Sequence, residues 1–208
     1  MVYTLDEIKS DIEELTSNEF YSKHILRSDN WYFEKVIGRD KEDSIRLTDD
    51  FKTIVSQSLQ ISFHNISIVG SSKIGCSLAP KTGQKDKLFR LFDEEKSDID
   101  IAIVSDKLFQ NYWSLFRKSY SPINKAHYSK ISRGIYRGYI NEKNLELIDG
   151  CRKEWNALSS ESKKILRRDL YIQPDITYRL YRSWEDFEEY HIQSLNEIRK
   201  EKNNATII

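Results

Sequence analysis

The segment SDIDIAIV, residues 97–104, constrains the fold of this chain more than any other. Its isoleucine and valine residues are typical of a buried strand, but Asp98 and Asp100 interrupt them. Residues i and i+2 of a strand share a face, so the two carboxylates lie side by side. Neighbouring carboxylates repel each other unless a cation such as Mg²⁺ lies between them. The alternative is structural: one aspartate begins the strand and the other pairs with an arginine.

A second pattern lies upstream, in ISIVGSSKIGCS at residues 66–77. A short apolar strand there runs into Gly70, Ser71 and Ser72, after which a helix is expected. Glycine lets the backbone approach a ligand closely, and serine hydroxyls with amides at a helix start can hold a phosphate. The segment lacks the Gly-Lys-Ser/Thr ending of a Walker A loop and the dinucleotide fingerprint. Taken alone, such a segment is usually only a turn.

Together the two patterns, IVGSS and SDIDIAIV, resemble the DNA polymerase β-like nucleotidyltransferase superfamily. The resemblance covers residues 60–106 closely and the rest loosely. It implies that Gly70 and Ser71 bind the nucleoside triphosphate, with Ser72 as a weaker candidate. It also implies that Asp98 and Asp100 hold two divalent metals, Mg²⁺ or Mn²⁺, for in-line attack on the α-phosphate.

The superfamily usually places a third carboxylate on a neighbouring strand. Asp175, at the start of DITYRLY, is the first candidate for a third catalytic and metal-binding residue. It is equally explained as a turn residue after Pro174. Asp149 and Glu146, in NLELIDG, are the other candidates.

Two basic segments are less specific. The stretch APKTGQKDKLFRLFDEEK, residues 79–96, makes the spacing between Ser71 and Asp98 longer than in minimal antitoxin-type members. It is either a surface loop or a basic flap near the triphosphate, and its basic or flexible residues are Lys81, Gly83, Lys85, Lys87 and Arg90. In KISRGIYRG, Lys130, Arg133 and Arg137 share a face if helical. They form either a clamp for a triphosphate or nucleic-acid backbone, or a solvated basic face.

The fold predicted from these patterns is α+β. We expect a nucleotidyltransferase fold with a small mixed β-sheet, helices packed on one side, and helical N- and C-terminal flanks. Strands near 65–69, 98–104 and 175–181 are expected to be neighbours in one sheet. The chain is predicted to be a single domain, with a helical flank at 1–60, a catalytic core at 61–182 and a final helix at 183–208. Caps are expected at Thr4, with Glu7 completing a capping box, at Thr48 and at Ser183.

Composition and charge indicate the compartment and the kinds of partner that the chain is expected to have. The chain has 33 basic and 33 acidic residues, so no global field indicates nucleic-acid binding and any basic surface must be local. Its 2 cysteines suit a reducing compartment. The acidic start does not resemble a signal peptide, and no apolar run is long enough to span a membrane. These features predict a cytoplasmic protein without a membrane partner.

The predicted function is transfer of a nucleoside monophosphate from an NTP or dNTP to a hydroxyl acceptor. The general likeness to small nucleotidyltransferases of phage-defence operons, such as Hailong, suggests short oligonucleotides as products and an operon-encoded effector protein as partner. The acceptor is a nucleotide, a nucleic acid or a protein. Nucleotidylation of a partner, as in antitoxin-type enzymes, and a non-catalytic nucleotide-binding regulator are the alternatives.

Overall fold

A computed structural model describes residues 2–78 and 88–205 and shows an α+β protein, which confirms the predicted class. The helices among these residues are α1 (Leu5–Glu14), α2 (Ser17–Phe20), α3 (Lys41–Leu59), α4 (Ser71–Ile74), α5 (Asp106–Lys118), α6 (Tyr128–Tyr136), α7 (Glu142–Leu145), α8 (Asp149–Asp169) and α9 (Trp184–Ala205). The strands are β1 (Ile66–Val69), β2 (Cys76–Ser77), β3 (Arg90–Leu91), β4 (Ile99–Val104), β5 (Tyr139–Asn141) and β6 (Ile176–Tyr181). The structure also contains short π-helical segments at Tyr21–Ile25 and Tyr32–Val36, and 3₁₀ turns at Phe63–Asn65 and Ile123–His127.

The main sheet has four strands in the order β1-β4-β6-β5. The prediction that the three strands near 65–69, 98–104 and 175–181 are neighbours is therefore confirmed. Strand β5, which the sequence did not predict, pairs antiparallel with β6, so that Tyr139 lies opposite Tyr181. Strands β2 and β3 form a separate antiparallel pair.

The chain forms two compact units, each built from separate parts of the sequence. The first contains described residues of Met1–Asp49, Ile68–Asp100 and Glu189–Ile208. Its core is apolar and rich in rings; Tyr32 packs edge-on against Phe92, with ring centroids 5.6 Å apart. Other buried members are Ile8, Ile12, Phe20 and Phe33.

The second unit contains Asp50–Ser67 and Ile101–Glu188. Trp155 lies at the centre of its core, in edge contact with Tyr112 at 5.7 Å and Tyr178 at 5.4 Å. Its indole nitrogen donates a 2.7 Å hydrogen bond to the buried carboxylate of Glu142. Glu142 also accepts from the Tyr178 amide at 2.9 Å and from Lys163 at 2.7 Å, so the buried charge is fully partnered. The predicted division into flank, core and final helix stays a prediction.

Helix starts follow local side-chain chemistry in two of the three predicted places. The capping box of Thr4 and Glu7 is present, and the Ser183 hydroxyl accepts the Asp186 amide at the start of α9. The prediction for Thr48 is wrong, because α3 begins seven residues earlier, at Lys41. The Thr48 hydroxyl instead donates to the Ser44 carbonyl at 2.8 Å, one turn back within the helix.

Within residues 2–78 and 88–205, the structure contains no helix with the length and apolar character needed to cross a membrane.

Candidate functional site

Gly70 ends β1 and begins the turn into α4, and its backbone lies against a carboxylate of the acidic strand. Its φ of 72° and ψ of −154° belong to a region that is essentially restricted to glycine. A Cβ at this position would lie 2.5 Å from Oδ2 of Asp100 and 3.3 Å from the Asp100 Cβ. The absence of a side chain at Gly70 therefore lets the turn and the carboxylate come together.

A second glycine, Gly75, holds the next turn of this region. It has a φ of 86° and ends α4, where a Cβ would lie 2.6 Å from the indole nitrogen of Trp31. Its carbonyl accepts the Phe92 amide at 2.9 Å, which continues the pairing of β2 with β3. These contacts connect the segment after Gly70 with the segment that leads into β4.

The turn before β4 is held by Asp93. The Asp93 carbonyl accepts the Ser97 amide at 2.7 Å, and the Ser97 hydroxyl accepts the Asp93 amide at 3.1 Å. The hydrogen bond from Lys96 to the Asp93 carboxylate, 2.8 Å long, lowers the pKa of that carboxyl below its ordinary value. Asp98 follows this turn directly, so its backbone position is set by local hydrogen bonds.

Asp98 and Asp100 flank the buried Ile99 and are themselves half-buried. The i, i+2 spacing puts both aspartates on one face, as predicted, and at residues 98–100 this face is the less buried one. The remaining β4 residues, Ile101 to Val104, are buried. Among residues 2–78 and 88–205, no group of three or more His, Cys, Asp and Glu side chains is arranged to hold a metal.

The residues of α4 differ in burial and in the hydrogen bonds that their side chains make. Ser71 is half-buried, whereas Ser72 is fully buried and its hydroxyl donates to the Val69 carbonyl at 3.2 Å. A phosphate contact from Ser72 would therefore have to use its backbone. Lys73 was not singled out by the sequence, yet its ammonium is buried and donates to the carbonyls of Arg27 and Asp29. The spacing of Lys73 from Ser71 carries no signal that would have predicted this anchoring contact.

The candidates for a third carboxylate all lie in the second unit. Asp175 lies one residue before β6, its side chain is 85% exposed, and it accepts a 2.7 Å hydrogen bond from Arg167. Asp149 begins α8 and pairs with Arg152. Glu146 is exposed at the end of α7. The role of Asp175 stays a prediction.

The two basic segments have different outcomes. Lys81, Gly83, Lys85 and Lys87 lie outside the described residues. Arg90, in β3, is half-buried and contacts the Ser77 hydroxyl at 3.4 Å. Lys130 and Arg133 are exposed on α6, as the helical prediction required. Arg137 follows the last residue of α6 and is half-buried, with its guanidinium 6.0 Å from the Tyr139 ring centroid, so the predicted face of three residues is present only in part.

The cysteines do not contribute reactive groups. Cys76 and Cys151 are both buried and unpaired. Burial raises the pKa of each thiol to about 11, so both stay protonated near neutral pH.

The chain was compared with protein-family models, with curated proteins and with solved structures, and none of the three comparisons gave a match. A function for the chain must therefore be argued from its residues and their geometry.

Proposed function

We propose that the chain is a metal-dependent nucleotidyltransferase, which transfers a nucleoside monophosphate from an NTP or dNTP to a hydroxyl acceptor. The observation that supports this proposal best is the approach of Gly70 to Asp100. Gly70, Asp98 and Asp100 lie in one unit, and the Asp100 carboxylate is 2.5 Å from where a side chain at Gly70 would begin. A structural role for the aspartates alone does not require this turn beside them.

The donor set fits a hard divalent cation. Asp98 and Asp100 provide two carboxylates from adjacent positions on one face of rigid backbone. Mg²⁺ is commonly bound by one or two carboxylates together with substrate phosphates and water, rather than by a cage made only of protein. Asp98 and Asp100 would hold Mg²⁺ or Mn²⁺, and a role for Asp175 stays a prediction. The bound cations would neutralise charge on the triphosphate and lower the pKa of the acceptor hydroxyl.

The chain's own residues would position the substrate. The Gly70 backbone has no side chain to block a phosphate, and the Ser71 hydroxyl is next to it and half-buried. The anchoring of Lys73 to the Arg27–Asp29 backbone keeps α4 in place, so the turn is presented without rearrangement. The partners under this proposal are a nucleoside triphosphate and an acceptor.

The test is incubation of the purified protein with each α-labelled NTP or dNTP and Mg²⁺ or Mn²⁺, followed by separation of soluble and protein-bound label. We expect transfer by the wild type and none by Asp98→Asn or Asp100→Asn. Both variants should keep nearly full stability, because each removes one of two like charges. Asp106→Asn is the matched control, since Asp106 is an exposed aspartate just after β4, at the start of α5.

The fate of the label separates the alternatives. Soluble oligomers or a labelled nucleic acid support the proposed hydroxyl transfer, with oligonucleotide synthesis in antiviral defence as its narrower form. Label on protein indicates nucleotidylation of a partner. Triphosphate binding without transfer, or equal transfer by wild type and both aspartate variants, contradicts the proposed enzyme.

A further inference from the structure

In one long segment of the second unit, all the charged residues are basic. Residues 107–141 contain no Asp or Glu, in a chain whose 33 acidic and 33 basic residues otherwise balance. The basic residues of this stretch are Lys107, Arg117, Lys118, Lys125, Lys130, Arg133 and Arg137. The acid that follows it, Glu142, is buried and already accepts from Lys163 at 2.7 Å. At the other end, exposed Asp106 accepts from Gln110 at 3.1 Å, and these two flanking acids leave the stretch with an excess of positive charge.

Most of these cations face solvent. Arg117 and Lys118 are exposed in the last turn of α5, and Lys125, Lys130 and Arg133 are exposed in the segment that follows. In the described part of the chain, none of these five makes an ion pair within 4.0 Å. Ion pairs do occur elsewhere in both units, for example between Arg46 and Glu42 and between Arg167 and Asp175.

Exposed tyrosines lie among the cations. Tyr136 is 93% exposed and Tyr120 is 79% exposed, so both rings are accessible to a ligand. The Tyr120 ring stacks on Tyr128 with centroids 5.1 Å apart and planes 16° apart. The Tyr128 hydroxyl donates to the Ser121 carbonyl and accepts from the Ser121 amide, both at 2.6 Å. Tyr120 thus presents a ring face supported by a ring that is itself fixed.

Helix α6 arranges its exposed residues in sequence. Lys130, Arg133 and Tyr136 follow one another at three-residue spacing, so each is next to the following one on the helix surface. The opposite side is anchored by buried Ile131 and Gly134. A Cβ at Gly134 would lie 2.9 Å from the Tyr139 carbonyl, which shows how closely α6 packs on β5. The exposed face is therefore held by rigid structure.

We propose that this basic-aromatic surface, made of Arg117, Lys118, Tyr120, Lys130, Arg133 and Tyr136, binds single-stranded nucleic acid. Cations that follow a phosphate backbone, combined with aromatic rings on which bases stack, are the features that bind single strands. A duplex would hide its base faces from the tyrosines. Binding to an anionic membrane would require a continuous apolar face beside the cations, whereas the residues between the tyrosines and cations of α6 are polar, buried or half-buried. The inference does not depend on the proposed catalysis.

The experiment measures fluorescence anisotropy of the full chain with labelled oligo-uridylate and oligo-deoxythymidylate of about twelve nucleotides. No triphosphate or divalent cation is added, so the outcome is independent of any transfer reaction. We expect Tyr136→Ala and Tyr120→Ala each to weaken binding about tenfold, the scale of one lost base stack. Lys130→Ala combined with Arg133→Ala should lower the slope of log K against log salt by about 1.4, since each phosphate contact contributes about 0.7. The ratio of the two oligomers identifies the preferred sugar.

Matched controls are available on other elements of the same unit. Tyr171 is 73% exposed, and Lys153 and Lys164 are exposed on α8. Tyr171→Ala and the Lys153→Ala, Lys164→Ala pair should leave affinity and salt slope unchanged, with folding checked by circular dichroism. The proposal is overturned by absence of binding at low salt, by equal loss in the controls, or by equal affinity for duplex. Binding to phosphatidylserine vesicles that is as strong and as sensitive to Tyr136→Ala would assign the surface to membranes instead.

Discussion

Replacing Gly70 with alanine tests whether the turn and the acidic strand form one site. A methyl group at Gly70 would begin 2.5 Å from the Asp100 carboxylate oxygen. Non-bonded atoms are most stable at about 3.5–4.0 Å, so the carboxylate must move by about an ångström. The residue would also hold a φ of 72° with a ψ of −154°, which costs about 1–3 kcal/mol for a residue with a side chain.

Gly38→Ala separates these two effects. Gly38 lies in the same unit and has a φ of 74°, but nothing lies within 4 Å of the Cβ that alanine would add. Its variant should show backbone strain without crowding. Gly150→Ala, near the start of α8 and also in open space, should stabilise the chain slightly, by about 0.5 kcal/mol.

The assay pairs urea denaturation with label transfer. We expect Gly70→Ala to lose about 2–4 kcal/mol of unfolding free energy, more than Gly38→Ala loses. Its transfer activity should fall at least about 100-fold, because the displaced carboxylate is a proposed metal ligand, while Gly38→Ala keeps its activity. In an Asp100→Ala background the added cost of Gly70→Ala should shrink, because residues in contact are not additive. Equal stability losses in Gly70→Ala and Gly38→Ala, with activity retained in both, would refute the reasoning.

Three further predictions concern other parts of the chain. Asp175→Ala should change the free energy of unfolding by no more than about 1 kcal/mol, because its ion pair with Arg167 is exposed. The variant should keep its nucleotide affinity, measured by calorimetry, while turnover in the label-transfer assay falls at least about 100-fold. Unchanged turnover would remove Asp175 from the site. Glu142→Ala should cost about 3 kcal/mol in urea denaturation because it leaves buried donors without an acceptor, whereas exposed Glu146→Ala should cost less than about 0.5 kcal/mol. Burial lowers the pKa of His24 despite its 2.7 Å hydrogen bond to Asp11, so stability should fall as the pH drops below the ordinary value of 6.5. Urea denaturation at several pH values around 6.5 should show that the free energy of unfolding changes less steeply with pH in His24→Gln than in the wild type. Equal pH dependence in the two proteins would contradict this.

Much of the fold could be predicted because the signals are local. The apolar strands before Gly70 and after Asp98 stand out by residue type, and hydroxyl caps such as Thr4 and Ser183 are recognised by spacing. Strand β5 was missed because its three residues are too short for a period to appear. The start of α3 was misplaced because Thr48 has the chemistry of a cap but bonds within the helix.

The candidate site also has features that the sequence predicts and features that only the tertiary structure shows. The sequence by itself determined that Asp98 and Asp100 share a face, because alternation along a strand is a property of the backbone. It also predicted that a glycine turn precedes a helix. Only the tertiary structure decided that this turn lies against Asp100 and that Tyr120 and Tyr136 face solvent. These facts depend on contacts between residues far apart in the chain or on which side of an element is covered, and such packing cannot be read from local residue patterns.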